Sequence, residues 1–505
     1  MDFLDPKKQK QHRLVLFTGY GLIAIAIAIV AVILLYQADG YGVDKKGQVV
    51  RNGLVFVSSQ PVKADISLNN VPYKSQTNTR MVLPSNTYTV KLTAAGYRSW
   101  QRQVVVLGGD VQRFDYPVLF PSSLQTKDVI TYEKRPLFTS QSPDHRWLLV
   151  KTAGETDTAV FSEYDLKTSA APLATSITLP ADAYTAGDTA GSWEAVEWSS
   201  DNKHVLLLHT YTAGAATDHE YIVLDRSSPE SSLNVTRTLN LPATETLSLF
   251  NKKYNQYYAF DTLAETLRTT SLDSSVDVVQ LEHVVAFKSY ASDTLLYATT
   301  VPPTGKATEG KVSVVLRQGQ KTYTLRTLSA ASGTTYDLDL AQYSGDWYIA
   351  VGSSSDAGVY LYRNPRDQTL AANALPAPWR FMRLAGTTRV SFSSSAQFIL
   401  FESGQQFVVY DAENVRTYRY VATQPLDSPQ AYAAWMDDSR VTYVSGGKQL
   451  VFDYDYTNAQ FLESNIAGVA PVFDPSMKAV YSFAPATAGA VERTSLTRTS
   501  LIVAK

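Results

Sequence analysis

With 505 residues the chain is too long for one hydrophobic core, and 45 Lys and Arg against 47 Asp and Glu leave a net charge of -2. That balance provides no global electrostatic pull toward nucleic acid or an anionic surface. There is no cysteine, which excludes disulfides and thiolate-bound metals.

The first feature along the chain is a basic cluster, Lys7, Lys8, Lys10 and Arg13, ahead of residues 14–38, which contain no charged side chain. At about 1.5 Å per residue, a run of that length crosses the roughly 30 Å hydrocarbon core of a bilayer. The spacing predicts a cytoplasmic basic tail over 1–13 and a transmembrane helix over 14–38. By the positive-inside rule, everything beyond about Asp39 is expected to be extracytoplasmic. A cleaved signal peptide would have a shorter apolar region ending in a small-x-small site, and Tyr36 occupies the first small position here, so a retained signal anchor is the reading. An outward-facing chain without disulfides fits a prokaryotic cell envelope.

Residues 39–51 are polar and glycine-rich and read as a linker. The Gly40, Gly42 and Gly47 in it do not make a phosphate loop, because no strand precedes them and no helical pattern follows.

From 52 to 121 the pattern becomes period-two strands separated by turn residues. Leu54-Val55-Phe56-Val57, Ala64-Asp65-Ile66-Ser67-Leu68, Tyr88-Thr89-Val90-Lys91-Leu92 and Gln103-Val104-Val105-Val106-Leu107 read as strands, and Asn69-Asn70 as a tight turn. These few short strands predict a small β-sandwich. Ser59-Gln60-Pro61-Val62-Lys63-Ala64, Leu83-Pro84-Ser85-Asn86-Thr87-Tyr88 and Ala95-Gly96-Tyr97-Arg98-Ser99-Trp100 resemble the signature segments of the PEGA domain family. The sequence departs from that family at Gln60 and Lys63, where Glu and Gly are typical, and at Asn86, where Gly is typical. Because Asn tolerates a left-handed backbone, the Asn86 departure is expected to preserve a turn. The resemblance implies a non-catalytic envelope or surface module and names no ligand.

Residues 122–505 repeat a unit of strand, polar turn, strand, loop and strand. Its clearest copy joins Val196-Glu197-Trp198 through Ser199-Ser200-Asp201 to Val205-Leu206-Leu207-Leu208 and Tyr221-Ile222-Val223-Leu224. Related units begin near Phe138, Val390, Trp435 and Phe473, and three degenerate ones near Leu249, Val285 and Tyr343. Four-stranded propeller blades recur at about 40–50 residues, so these units predict a mainly β fold ending in a seven- or eight-bladed β-propeller. The pattern resembles the broad WD40-like and TolB-like propeller class.

Chemistry is sparse. His204, His209, Asp218, His219 and Glu220 form the one His and carboxylate cluster, but His204 and His209 are an odd number of residues apart and face opposite sides of a strand, so no metal site is read there. His204 and His145 are read as equivalent residues of a repeated turn. No Gly-x-Ser-x-Gly elbow, Walker loop or basic groove occurs, and no cofactor is expected. Trp100, Trp193 and Trp379 fall outside the strand patterns and are the candidates for stacking on a ligand. The loops 185–192 and 210–217, poor in charge, read as disordered excursions, with insertion into a partner complex as the alternative.

The expected function is therefore that of a non-enzymatic, membrane-tethered cell-envelope binding or scaffolding protein. Its sandwich acts as a spacer, and its propeller as a platform for an envelope protein or polysaccharide rather than nucleic acid. The alternative is an extracytoplasmic carbohydrate-active hydrolase or lyase using two loop carboxylates, which predicts a pair of carboxyls with shifted pKa converging in one pocket.

Overall fold

The computed structural model describes residues 6–38, 40–43, 47–152, 154, 157–167, 171–303, 309–372, 375–428, 431–486 and 493–503. The chain divides into two compact units, Met1–Ser123 with Ile502–Lys505, and Leu124–Leu501.

The first unit starts with a helix, Pro6–Ala38. Its apolar stretch, His12–Ala38, is long enough to cross a bilayer, and none of its most apolar window is covered by protein. After Gly40, Tyr41–Val43 pairs antiparallel with the start of Val49–Val57, Tyr41 lying opposite Arg51. The predicted linker is thus partly a hairpin: Gly40 C=O accepts from Asn52 N–H at 2.7 Å, and Tyr36 meets Tyr41 edge to face at 5.3 Å.

Two four-stranded sheets follow and form the expected sandwich. Alternation sends Val55, Val57, Met81, Leu83 and Phe114 of one sheet, and Ile66, Val90, Leu92, Trp100 and Val104 of the other, into a common core. Asn69 and Asn70 have φ of 51° and 65°, as their turn requires. Asn86 does not: it begins the strand Asn86–Thr93 with ordinary negative φ. The left-handed position is Lys63, at φ 63°, the other place where glycine is typical of the family. The tail of the chain ends on this unit, where Val503 N–H donates to Tyr97 Oη at 2.8 Å and its methyls pack over Gly96.

Among the described residues the second unit holds eight four-stranded antiparallel sheets. Seven are consecutive in sequence, at 136–178, 192–234, 245–282, 284–329, 336–383, 389–421 and 434–464, and are numbered here as blades 1 to 7. Blade 8 combines 472–500 with Gln125–Tyr132, which pairs with Thr494–Ser500. All eight sequence units coincide with the first two strands of a blade.

Hydrophobic clusters join neighbours around the ring. Phe138, Leu149 and Phe161 of blade 1 pack on Val205, Leu207 and Ile222 of blade 2, and Leu148, Val150 and Tyr164 of blade 1 pack on Ala479, Tyr481 and Leu496 of blade 8. Because a blade is covered on both faces, its second strand is buried at successive positions, as in Thr294–Thr299 and Arg440–Ser445. Fourth strands such as Arg416–Val421 are mostly exposed.

The turn between first and second strands also repeats. Ser142 N–H bonds Trp147 C=O with His145 left-handed, Ser199 N–H bonds His204 C=O with Asn202 left-handed, and Ser393 N–H bonds Phe398 C=O with Ala396 left-handed. His145 therefore corresponds to Asn202, and His204 to Trp147; the equivalence of His145 with His204 drawn from sequence is out of step by two residues.

Lys63 offers a test of the sandwich. A left-handed non-glycine residue costs about 1–2 kcal/mol, partly offset by the unfolded-state entropy that glycine adds. Lys63→Gly is expected to raise stability by up to about 1 kcal/mol and Lys63→Val to lower it by about 1–2 kcal/mol, read from the sandwich transition in chemical unfolding.

Candidate functional site

The densest polar cluster joins blades 1 and 2. His209, fully buried, lies opposite Glu220 in the register of the second and third strands of blade 2. Its Nδ1 is 3.1 Å from Glu220 Oε1 and its Nε2 is 3.0 Å from Oδ2 of Asp157, from a loop of blade 1. Glu220 also accepts from Thr185 N–H at 2.6 Å, Thr185 Oγ1 at 2.9 Å and Asn234 Nδ2 at 2.6 Å. Gly187 N–H donates to Asp157 at 2.9 Å. Burial pushes the Glu220 carboxyl up, but the hydrogen bonds from His209, Thr185 and Asn234 outweigh it and hold the group at about 2. Lys151 lies beside this cluster, its ammonium lowered by burial and raised in part by Asp157.

These groups bond one another, with Asp157 Oδ1 alone of the His209, Asp157 and Glu220 side-chain atoms left without a partner, and the cluster acts as a clamp. Through Thr185 and Gly187 it fixes the connection between blades 1 and 2, so 185–192 is not a free excursion. Neither is 210–217, where Thr210 to Ala213 pair with Ala216 to His219 as the end of a hairpin. Among the described residues no group of three His, Cys, Asp or Glu is arranged to hold a metal. His204 sits about 17 Å along the strand from His209, bonded to Asp201 at 2.6 Å and stacked on Tyr254 at 3.7 Å.

Two of the three tryptophans are not available to a ligand. Trp100 is 1 % exposed in the sandwich core, and Trp193 is 7 % exposed, stacked on the His209 ring at 4.0 Å. Both read as unpatterned because the partners that bury them are distant in sequence. Trp379 is half-buried, with Nε1 donating to Tyr410 Oη at 2.7 Å and the guanidinium of Arg380 over its ring at 4.3 Å.

Carboxyls with raised pKa occur on the inner part of blades 5 and 6. Burial raises Asp337 to about 6 and leaves its Oδ2 without a hydrogen-bond partner. Burial likewise raises Asp339, against the opposing pull of Lys288 at 3.3 Å. Glu402 is raised to about 7 by burial; both its oxygens face Ala433 N–H, at 3.2 and 3.1 Å, and Arg389 lowers it in part.

None of these three lines either of two clefts in the propeller. One, of about 300 Å³, is walled by Glu197, Ser248, Asn251, Lys252, Phe287 and Lys288, from the first strands and turns of blades 2, 3 and 4. Glu197 accepts from Leu249 N–H at 2.7 Å and pairs with Lys252, while Ser248 Oγ is buried with no partner. The other, of about 170 Å³, lies between blades 7 and 8, with Asp427, Tyr432 and Tyr443 in its wall. The 300 Å³ cleft is the candidate binding site. Sequence reading missed it, since its residues come from three blades; the only local sign was the conspicuous Asn251-Lys252-Lys253 turn.

The architecture defines a protein with one long apolar helix, a β-sandwich and an eight-bladed β-propeller. Residues 52–118, which form most of the sandwich, match the PEGA domain family. No curated protein matches the chain. Among solved structures it is similar to Kluyveromyces lactis Hsv2, at 14% identity over 66% of this chain and 99% of that one with a TM-score of 0.41. It is also similar to an oligogalacturonate lyase of Vibrio parahaemolyticus, at 8% identity over 75% and 99% with a TM-score of 0.37. A third similar structure is an uncharacterised protein of Listeria monocytogenes, at 11% identity over 69% and 93% with a TM-score of 0.39. At such identities none of these carries an activity to this chain.

The two kinds of shifted carboxyl predict opposite pH responses. Glu220 is held below its ordinary 4.5, so its stabilisation is complete above about pH 4.5 and is lost as pH falls toward about 2. Glu220→Gln is expected to cost about 2–3 kcal/mol at pH 7 and to flatten the acid limb of the stability curve. Glu402 is held above 4.5, so its penalty is absent below about pH 4.5 and complete above about 7. Glu402→Gln should therefore match the parent near pH 4.5 and exceed it in melting temperature at pH 8, as measured by scanning calorimetry.

Proposed function

We propose that this chain is a membrane-tethered, non-enzymatic binding protein of the cell envelope. The observation that carries this reading is the helix His12–Ala38, apolar on all sides and without protein cover: Leu14 is 71 % exposed, Ile25 58 % and Leu35 66 %. Such a surface is stable in hydrocarbon and unfavourable in water. The PEGA-type sandwich follows within a few residues and serves as a spacer outside the bilayer, with the basic tail left in the cytoplasm.

The propeller is the platform. Its 300 Å³ cleft offers the mixed acceptors and donors of Glu197, Ser248, Asn251, Lys252 and Lys288 beside the Phe287 ring. Hydroxyl and amide groups of an envelope polysaccharide or protein segment fit that lining. The raised carboxyls Asp337 and Glu402 stand outside this cleft, and Asp339 meets its wall only through the ion pair with Lys288, which favours binding over hydrolysis or elimination.

Two measurements test the reading. A C-terminal tag is expected to resist protease in intact cells with an outer barrier and to be cleaved after spheroplasting; protection in spheroplasts would reverse the topology. Asn251 and Lys252 have φ of 52° and 55°, so glycine removes both side chains and keeps the backbone. Asn251→Gly with Lys252→Gly is expected to weaken co-sedimentation with isolated envelope polysaccharide or crosslinking to an envelope protein at least tenfold with an unchanged melting temperature. Release of new reducing ends or unsaturated products from the polysaccharide would instead establish an enzyme.

A further inference from the structure

The sandwich carries an ordered apolar and cationic face that its own core does not use. In the sheet formed by Val49–Val57, Thr79–Pro84 and Val111–Phe114, Leu54 lies opposite both Val82 and Val111, and Phe56 lies opposite both Arg80 and Arg113. Val55, Val57, Met81, Leu83 and Phe114 point into the core, so alternation puts these two rows on the opposite face. One row is entirely aliphatic, with Val82 57 % and Val111 55 % exposed. The next is an aromatic ring between two arginines, with the Arg113 guanidinium 4.7 Å from the Phe56 centroid. Neither row contains a carboxylate.

The position of this face in the chain suggests its partner. Arg51, three residues before Leu54, is paired with Tyr41, and Tyr41 lies three residues beyond the end of the apolar helix. The aliphatic row is thus about 10 Å along the strand from the pairing at Tyr41, and the arginine row about 7 Å farther. The polar zone outside the hydrocarbon core is roughly 5–7 Å deep on each side. With the strand running along the leaflet, both rows stay within that zone, the aliphatic side chains reaching the acyl-chain boundary and the arginines the phosphates.

We infer that this face is a membrane-contact surface that binds anionic lipid headgroups through Arg80 and Arg113 while Leu54, Val82 and Val111 enter the interface. The inference rests on the helix being a membrane anchor. Its consequence is that the sandwich lies against the bilayer and is held by two attachments, the span and this face, instead of swinging on the span alone.

The absence of native cysteine makes site-directed spin labelling direct. The full chain is reconstituted in nanodiscs of phosphatidylglycerol with phosphatidylcholine, carrying one label at Ile25→Cys, Val82→Cys, Val111→Cys or, as an aqueous control, Val71→Cys, which is 65 % exposed on the other sheet. The ratio of oxygen to nickel-chelate accessibility at 82 and 111 is expected to exceed that at 71 by at least threefold. Arg80→Glu with Arg113→Glu, or pure phosphatidylcholine, should abolish the excess. A lipid-like ratio at 25 with aqueous ratios at 82 and 111 would overturn the surface and leave the anchor intact. An aqueous ratio at 25 would overturn the anchor itself. Spin–spin broadening at 82 without oxygen enrichment would give the face to a second copy of the chain and likewise overturn the lipid assignment.

Discussion

The propeller depends on one pairing between segments more than 360 residues apart. Gln125–Tyr132 supplies the outermost strand of blade 8 and pairs antiparallel with Thr494–Ser500, Thr126 facing Thr499 and Thr131 facing Ser495 with their side-chain oxygens 2.8 Å apart. A ring of sheets is open between its last and first blades until this strand is in place, so the core between blades 8 and 1 depends on its closure. Antiparallel pairing at such sequence separation carries a large loop-closure cost, met only when all the intervening blades have buried their faces.

Closure also explains where polar chemistry is found. Within a blade, both faces of the middle strands are covered, so a charged side chain there must be matched in place. His209 between Asp157 and Glu220 is such a match, and its bonds reach across to the connection that leads from blade 1 to blade 2. Arg268 between Glu245 and Asp277 is another, within blade 3. These arrangements lock loops and neighbouring strands. The cleft of blades 2 to 4 differs in being open, with the ends of three first strands side by side and the unpartnered Ser248 Oγ in its wall. Fixed clamps beside an open cleft suit the binding role proposed above, since a rigid lining spends little conformational entropy on capture.

The first unit follows a different logic. The apolar window of the helix is without protein cover, the sandwich has a core of its own, and Tyr41–Val43, which Tyr36 meets edge to face, pairs with the first long strand of the sandwich. The strand Tyr41–Val43 thereby follows the helix directly into the sheet whose outer face bears the aliphatic and arginine rows.

Much of this was legible from the amino acids because it rests on local periodicity. An uncharged run of 25 residues, period-two strands, Asn-Asn at a tight turn and eight recurrent strand-turn-strand units each follow from neighbours in sequence, and each recurs in the structure. Tertiary contacts decided the rest. Whether Trp100 and Trp193 face solvent depends on Phe114 and His209, which are near them only after folding. The left-handed residue proved to be Lys63 and not Asn86, because backbone sign is set by how strands are joined in space. The blade count, the step of two residues in the His145 and His204 alignment and the convergence of Glu197, Ser248 and Lys288 all arise from packing between blades. The sequence by itself determined which segments must be apolar, extended or turned; only the closed ring determined which of their side chains meet, because those meetings join residues from separate blades.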